Sequence, residues 1–113
     1  MNIPNSELNN YMMNEEDFKI TNNEFLRQFE TTLNGELAII EYADQERKIF
    51  LTKLKMPKGF DDEETTNKFI EAVLAEIKEN TNFRVMPTHP DIAKFMRRNR
   101  RKYKDLLPVG INI

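Results

Sequence analysis

The chain predicts an α+β or α/β domain: a mixed sheet led by a three-stranded antiparallel meander, then a long helix, a fourth strand and a C-terminal helix. Three observations predict it. Apolar and polar residues alternate up to Asn34-Gly35, a hairpin turn signal, and the run Leu37-Ala38-Ile39-Ile40-Glu41-Tyr42 follows it. Apolar residues then recur at helical spacing between Phe69 and Ile77. Finally the short run Phe83-Arg84-Val85-Met86 lies between that helix and a second one, the order in which a helical crossover returns a strand to the sheet. With 113 residues there is room for one domain, whose core needs neither disulfide nor metal to hold it.

Residues 1–17 hold five asparagines, several acids and few apolar groups, Tyr11-Met12-Met13 being the main exception. They read as a leader with at most a short helical turn, and the domain proper is expected over 18–113. Phe25, Phe29 and Leu33 share one parity with Arg27 and Thr31 between them, which predicts the first strand. Leu37-Ala38-Ile39-Ile40-Glu41-Tyr42 returns from the Asn34-Gly35 turn as the second. After a polar turn, Asp44-Gln45-Glu46, residues 48–56 set Phe50, Leu54 and Met56 against Thr52, Lys53 and Lys55, as a third strand does. Pro57 and Gly59 end it. Asp61 or Asp62 can cap the following helix by accepting its first free N–H groups, with Glu64 at capping-box spacing from Asp61. Phe69, Ile70, Val73, Leu74 and Ile77 fall on one helical face, which is expected to pack on the sheet. The fourth strand closes at Pro87-Thr88-His89-Pro90. Asp91 is expected to cap the last helix, with Ile92, Phe95, Met96, Tyr103, Leu106 and Leu107 turned inward until Pro108 stops it.

Composition removes several chemistries. Cysteine is absent, so thiol catalysis, disulfides and thiolate metal sites are excluded. With one histidine, and acids strung along a helix start, no metal site is expected. The one serine, Ser6, lies in the leader, which argues against serine-nucleophile catalysis. No apolar run reaches the length of a membrane span and residues 1–17 lack the pattern of a secretory signal, so a soluble cytoplasmic protein without a membrane partner is expected. The net charge of −2 hides an asymmetry: residues 1–89 carry 10 basic and 17 acidic side chains, and residues 90–113 carry 7 basic and 2 acidic. An acidic body thus precedes a basic tail, a dipolar arrangement suited to a local acidic partner.

The words at the element junctions resemble a known family. They are Phe29-Glu30, Asn34-Gly35-Glu36-Leu37-Ala38, Tyr42, Met56-Pro57, Phe69-Ile70-Glu71-Ala72-Val73-Leu74, Val85-Met86-Pro87-Thr88-His89-Pro90 and Tyr103-Lys104-Asp105-Leu106-Leu107. In that order and spacing, residues 18–107 resemble the small single-domain branch of the GNAT N-acetyltransferases. The resemblance implies a GNAT-like mixed sheet, with acetyl-CoA along the third strand past Met56 and its pyrophosphate on the start of the long helix. It places the cofactor loop on Asp61, Asp62, Glu64, Thr65 and Thr66. In the family this loop alternates glycines with basic or polar residues, so that backbone N–H groups reach the phosphate oxygens. Here the glycine positions fall on Asp62 and Glu64, and the small residue after them on Thr66. A helix start attracts anions, and the run Asp61-Asp62-Glu63-Glu64 fills that field with the chain's own carboxylates. Like charges about 4 Å apart cost on the order of 1 kcal/mol in bulk water and about 4 at intermediate dielectric. A loss of roughly two or more orders of magnitude in cofactor affinity is expected.

The resemblance also places the reaction centre. A cysteine suspected of taking part in acetyl transfer falls on His89, and a His-Thr pair of the third strand falls on Lys53 and Leu54. His89 can act as a general base toward an amine or, as a turn residue, help to cap the last helix. Tyr103 stands where some GNAT enzymes keep a general acid; its apolar stripe offers a core position instead. Between Lys94 and Lys104 seven residues of eleven are basic. Arg97, Arg98, Arg100 and Arg101 offer a footprint for nucleic-acid phosphates, a solvated helix face, or a surface that meets the acidic helix start of this chain or of a neighbour. Three functions stay open on the sequence. One is a GNAT-fold binding or interaction module with weakened or lost acetyl-CoA binding; the others are an active small N-acetyltransferase acting on an amine and a nucleic-acid-binding domain.

Overall fold

A computed structural model describes residues 18–111; the leader, residues 1–17, lies outside the described residues. The chain runs β1 (Thr21–Asn23), β2 (Gln28–Leu33), β3 (Glu36–Gln45), β4 (Lys48–Lys55), α1 (Glu63–Asn80), β5 (Arg84–Pro87), α2 (Pro90–Arg98), α3 (Arg100–Tyr103) and a 3-10 turn, Lys104–Leu106. One mixed sheet takes the strands in the order β1-β2-β3-β4-β5. Pairing is antiparallel as far as β4 and parallel between β4 and β5. The parallel pair follows from α1, which carries the chain back to the end from which β4 began.

The Asn34-Gly35 turn forms as read, with φ of 52° and 84°, the left-handed conformation that such a turn requires. The apolar face of α1 is also the expected one: Phe69, Ile70, Val73, Leu74 and Ile77 are all buried. They meet Phe29, Ala38, Ile40, Ile49, Leu51 and Val85 of the sheet. Ile92, Met96, Tyr103, Leu106 and Leu107 close the same core from the C-terminal segment. Each fully buried aliphatic or aromatic side chain contributes roughly 1.5–3 kcal/mol, so this two-layer contact dominates stability. Among the described residues no helix is long and apolar enough to cross a membrane.

Three local expectations are corrected. Phe25 belongs to no strand: it is 94% exposed in the turn between β1 and β2. Asn23 Oδ1 accepts the Leu26 N–H at 3.0 Å and Arg27 adopts φ 55°, so the chain reverses where a single strand is expected. In β4 the core residues are Ile49 and Leu51 rather than Phe50. The register explains this. Glu41 pairs with Lys53 and Tyr42 with Leu51, leaving Thr52 as an extra residue in a β-bulge. Beyond the bulge the inward parity switches, and Leu54 and Met56 face the core. The C-terminal helix breaks at Asn99, whose side-chain amide donates to the Phe95 carbonyl at 2.8 Å, and it resumes as α3.

Candidate functional site

The bulge also shapes the edge of β4. β4 pairs with β3 as far as Lys55, yet its parallel ladder with β5 stops at Leu51↔Pro87. Two groups close that ladder on one carbonyl: Thr88 Oγ1 donates to the Leu51 oxygen at 2.8 Å and the His89 N–H donates to it at 3.0 Å. The chain then turns away into α2. Among the described residues, 52–55 therefore form a strand edge without a strand partner on the β5 side. Ile39, Glu41, Lys53, Leu54, Lys55 and His89 line a cavity of about 410 Å³ there.

His89 itself starts α2. Its Nδ1 accepts the Asp91 N–H at 3.1 Å, and Pro90 follows at the first helical position. Asp91, expected as the cap, lies inside the first turn instead. The reason is Pro90: its fixed φ and missing N–H suit that position, which makes the preceding residue the cap. A neutral imidazole whose Nδ1 accepts a hydrogen bond carries its proton on Nε2. A base role for Nε2 requires the opposite tautomer, which sets a ring N–H against the Asp91 N–H. Capping and general-base catalysis thus compete for one side chain.

The second part of the site is the start of α1. Gly59, with φ 88°, turns the chain after β4, and the Phe60 N–H donates to the Pro57 carbonyl at 2.9 Å. Met56 is half-buried against the core. Asp62 is the N-cap: its Oδ2 accepts both the N–H and the hydroxyl of Thr65 at 3.0 Å. These bonds, the backbone one foremost, hold the Asp62 carboxyl below its ordinary pKa. Glu64 is exposed, 3.7 Å from Lys68 one turn on. Asp61 and Thr66 line a cleft of about 500 Å³ between α1 and α2, with Glu63, Lys94, Phe95 and Arg98. Arg98 closes on Glu63 at 3.2 Å. The start of α1 thus presents four exposed acids, one spent on capping and one on an arginine of the neighbouring helix.

No protein-family model, curated protein or solved structure matches the chain.

Tyr103 lies apart from His89. Its ring is buried, 5.7 Å from that of Phe95, and it lines a cavity of about 430 Å³ on the flank of α1, with Phe18, Ile20, Ala72 and Ala75. Burial pushes its phenol up against the opposing pull of the nearby Lys102 ammonium, and its enclosed hydroxyl makes no hydrogen bond of normal geometry among the described residues. The two residues to which the resemblance gives chemistry therefore face different cavities. The basic segment is partly neutralised within the molecule: besides Arg98 on Glu63, Lys102 meets Glu71 at 2.5 Å. Arg97, Arg100 and Arg101 are exposed beside them. Of the three readings for this segment, the geometry contains two: Arg98 and Lys102 meet this chain's own acidic helix, and Arg97, Arg100 and Arg101 lie on an exposed face. Sequence reasoning missed the free edge of β4. Its signal was present in the phase slip of the strand, where Ile49 and Leu51 have one parity and Leu54 and Met56 the other.

Proposed function

We propose that this chain is a GNAT-fold binding module that has lost efficient acetyl-CoA binding. One observation carries the reading: at the start of α1, where the resemblance puts a pyrophosphate, Asp62 occupies the Thr65 N–H and four carboxylates stand exposed. A diphosphate there meets like charge and a donor already taken. The use of His89 Nδ1 as a helix cap adds to the reading, since acetyl transfer to an amine needs a base free to accept a proton. What remains is a recessed strand edge with polar and apolar walls, which suits recognition without chemistry.

Calorimetric titration with acetyl-CoA tests this. Binding weaker than millimolar supports the reading, and micromolar binding overturns it. Asp62→Gly with Glu64→Gly tests the cause: affinity for acetyl-CoA is expected to rise by roughly tenfold or more if bulk and repulsion block the site. Unchanged affinity sinks that explanation.

An active small N-acetyltransferase is the second reading, supported by the free edge of residues 52–55 on the strand along which the resemblance lays the cofactor. Steady acetylation of a panel of amines, abolished by His89→Ala, is its expected signature.

A further inference from the structure

We propose that the free edge of β4 takes an extended acidic peptide from a partner protein, added as a short strand beside residues 52–55. The inference rests on the preceding reading, in which acetyl-CoA does not fill this edge. A strand turns the N–H and C=O groups of alternate residues to each side, so two of residues 52–55 present their backbone groups to this edge, roughly 7 Å apart, while the others are taken up by β3. An extended peptide matches such a row, as in other cases of strand addition. A polyanion without amides does not.

The neighbouring side chains set the polarity. Lys53 and Lys55 are exposed, and neither has an ion pair among the described residues. Through the bulge both stand on the sheet face away from α1, paired across the ladder with Glu41 and Ile39. Two cations therefore face one carboxylate. Asp61 and Glu63 at the start of α1 line a different cleft. Alternate side chains of an added strand approach Lys53 and Lys55 to about 5 Å, which favours Glu or Asp at every second position. Ile39, opposite Lys55 on the same face, offers apolar contact beside them.

The outer edges of the sheet are poorer hosts. β1 has three residues, and β5 ends in Pro87 and holds Arg84 against the Asp105 carbonyl.

The test is amide NMR of the full chain titrated with three end-blocked hexapeptides. One alternates Glu and Val, one alternates Lys and Val, and one is the Glu peptide with a central Pro. The Glu peptide is expected to shift amides of residues 52–55 and 88–89 and to protect those that face the edge. The Pro peptide and the double variant Lys53→Glu, Lys55→Glu are each expected to bind roughly tenfold more weakly, the variant keeping its other resonances in place. The proposal is overturned by shifts confined to Arg84–Pro87 or Thr21–Asn23, by equal binding of the Lys peptide, or by no shifts at millimolar peptide. Acetyl-CoA added to the same sample separates the two claims. Micromolar binding of acetyl-CoA along residues 52–55 overturns both this inference and the reading beneath it. Silence from both ligands overturns the inference alone.

Discussion

Single side chains decide most of what this site can do. Asp62 is the plainest case, because its carboxylate holds the first turn of α1 through Thr65. Its folded pKa lies below the ordinary value, so its contribution is present above about pH 4 and is lost as pH falls through the folded value. Melting temperatures measured from neutral pH downward are expected to fall through that window in the parent chain. In Asp62→Asn, which keeps an acceptor without a charge, the acid-side fall should be shallower; an identical pH profile would show that Asp62 is not responsible. Tyr103 makes the opposite prediction. Burial outweighs the nearby Lys102 ammonium at its hydroxyl, which makes no hydrogen bond of normal geometry among the described residues, so Tyr103→Phe removes a desolvated group at little packing loss. Urea unfolding should show a gain of about 1 kcal/mol, and a loss instead would reveal a hydrogen bond to that hydroxyl. His89 shows why a residue can be legible in type and not in role. From the sequence both His89 and Asp91 have side chains able to cap, and only the demand of Pro90 for the first helical position chooses between them.

At the scale of elements, the strand β4 carries the sharpest prediction. Thr52 is the extra residue in the bulge. Deleting it leaves Ile49, Phe50, Leu51, Lys53, Leu54, Lys55 and Met56 in strict alternation, with every core residue inward. The deletion is expected to fold, within about 2 kcal/mol of the parent in urea unfolding, and to alter the amide resonances around His89. Deleting Phe50 instead breaks the alternation before the bulge and should cost several kcal/mol or abolish folding, roughly the loss of one or two core side chains. Equal effects of the two deletions would show that the bulge does not set the parity. The helix α1 was fully legible because its five buried residues follow one period without interruption. The β1–β2 reversal was not, since Phe25 matches the parity of Phe29 while the turn depends on a side-chain bond from Asn23 and a left-handed Arg27. The bulge escaped for a similar reason: periodicity averaged over a strand hides a slip of one residue.

Taken as one molecule, the fold sets its basic C-terminal segment against its acidic helix. Arg98 on Glu63 and Lys102 on Glu71 are exposed pairs, each worth about 0–1 kcal/mol and weakened by salt. They matter more for recognition than for stability. Because these cations are held by carboxylates, duplex or single-stranded oligonucleotides are expected to bind weakly even at low salt. The double variant Glu63→Gln, Glu71→Gln should bind them more tightly, with a steeper salt dependence, in a fluorescence anisotropy titration. Tight binding by the parent chain, unaffected by the double variant, would overturn this account of the basic face. The α+β architecture and the acidic helix start were readable from sequence alone. The pairing of the two charged segments was not, because nothing in either one states which faces the other.

Burial of aromatic rings has a spectroscopic consequence. The chain has three tyrosines and no tryptophan, so its near-ultraviolet absorbance belongs chiefly to phenol chromophores. In the folded protein burial pushes the phenols of both Tyr42 and Tyr103 up. Tyrosinate absorbance on alkaline titration should therefore appear late for those two rings, and a conformational opening that wets them should bring it forward. The ultraviolet absorbance of the protein in base becomes a label-free gauge of how tightly Tyr103 is seated between α1 and the C-terminal segment and Tyr42 against β2.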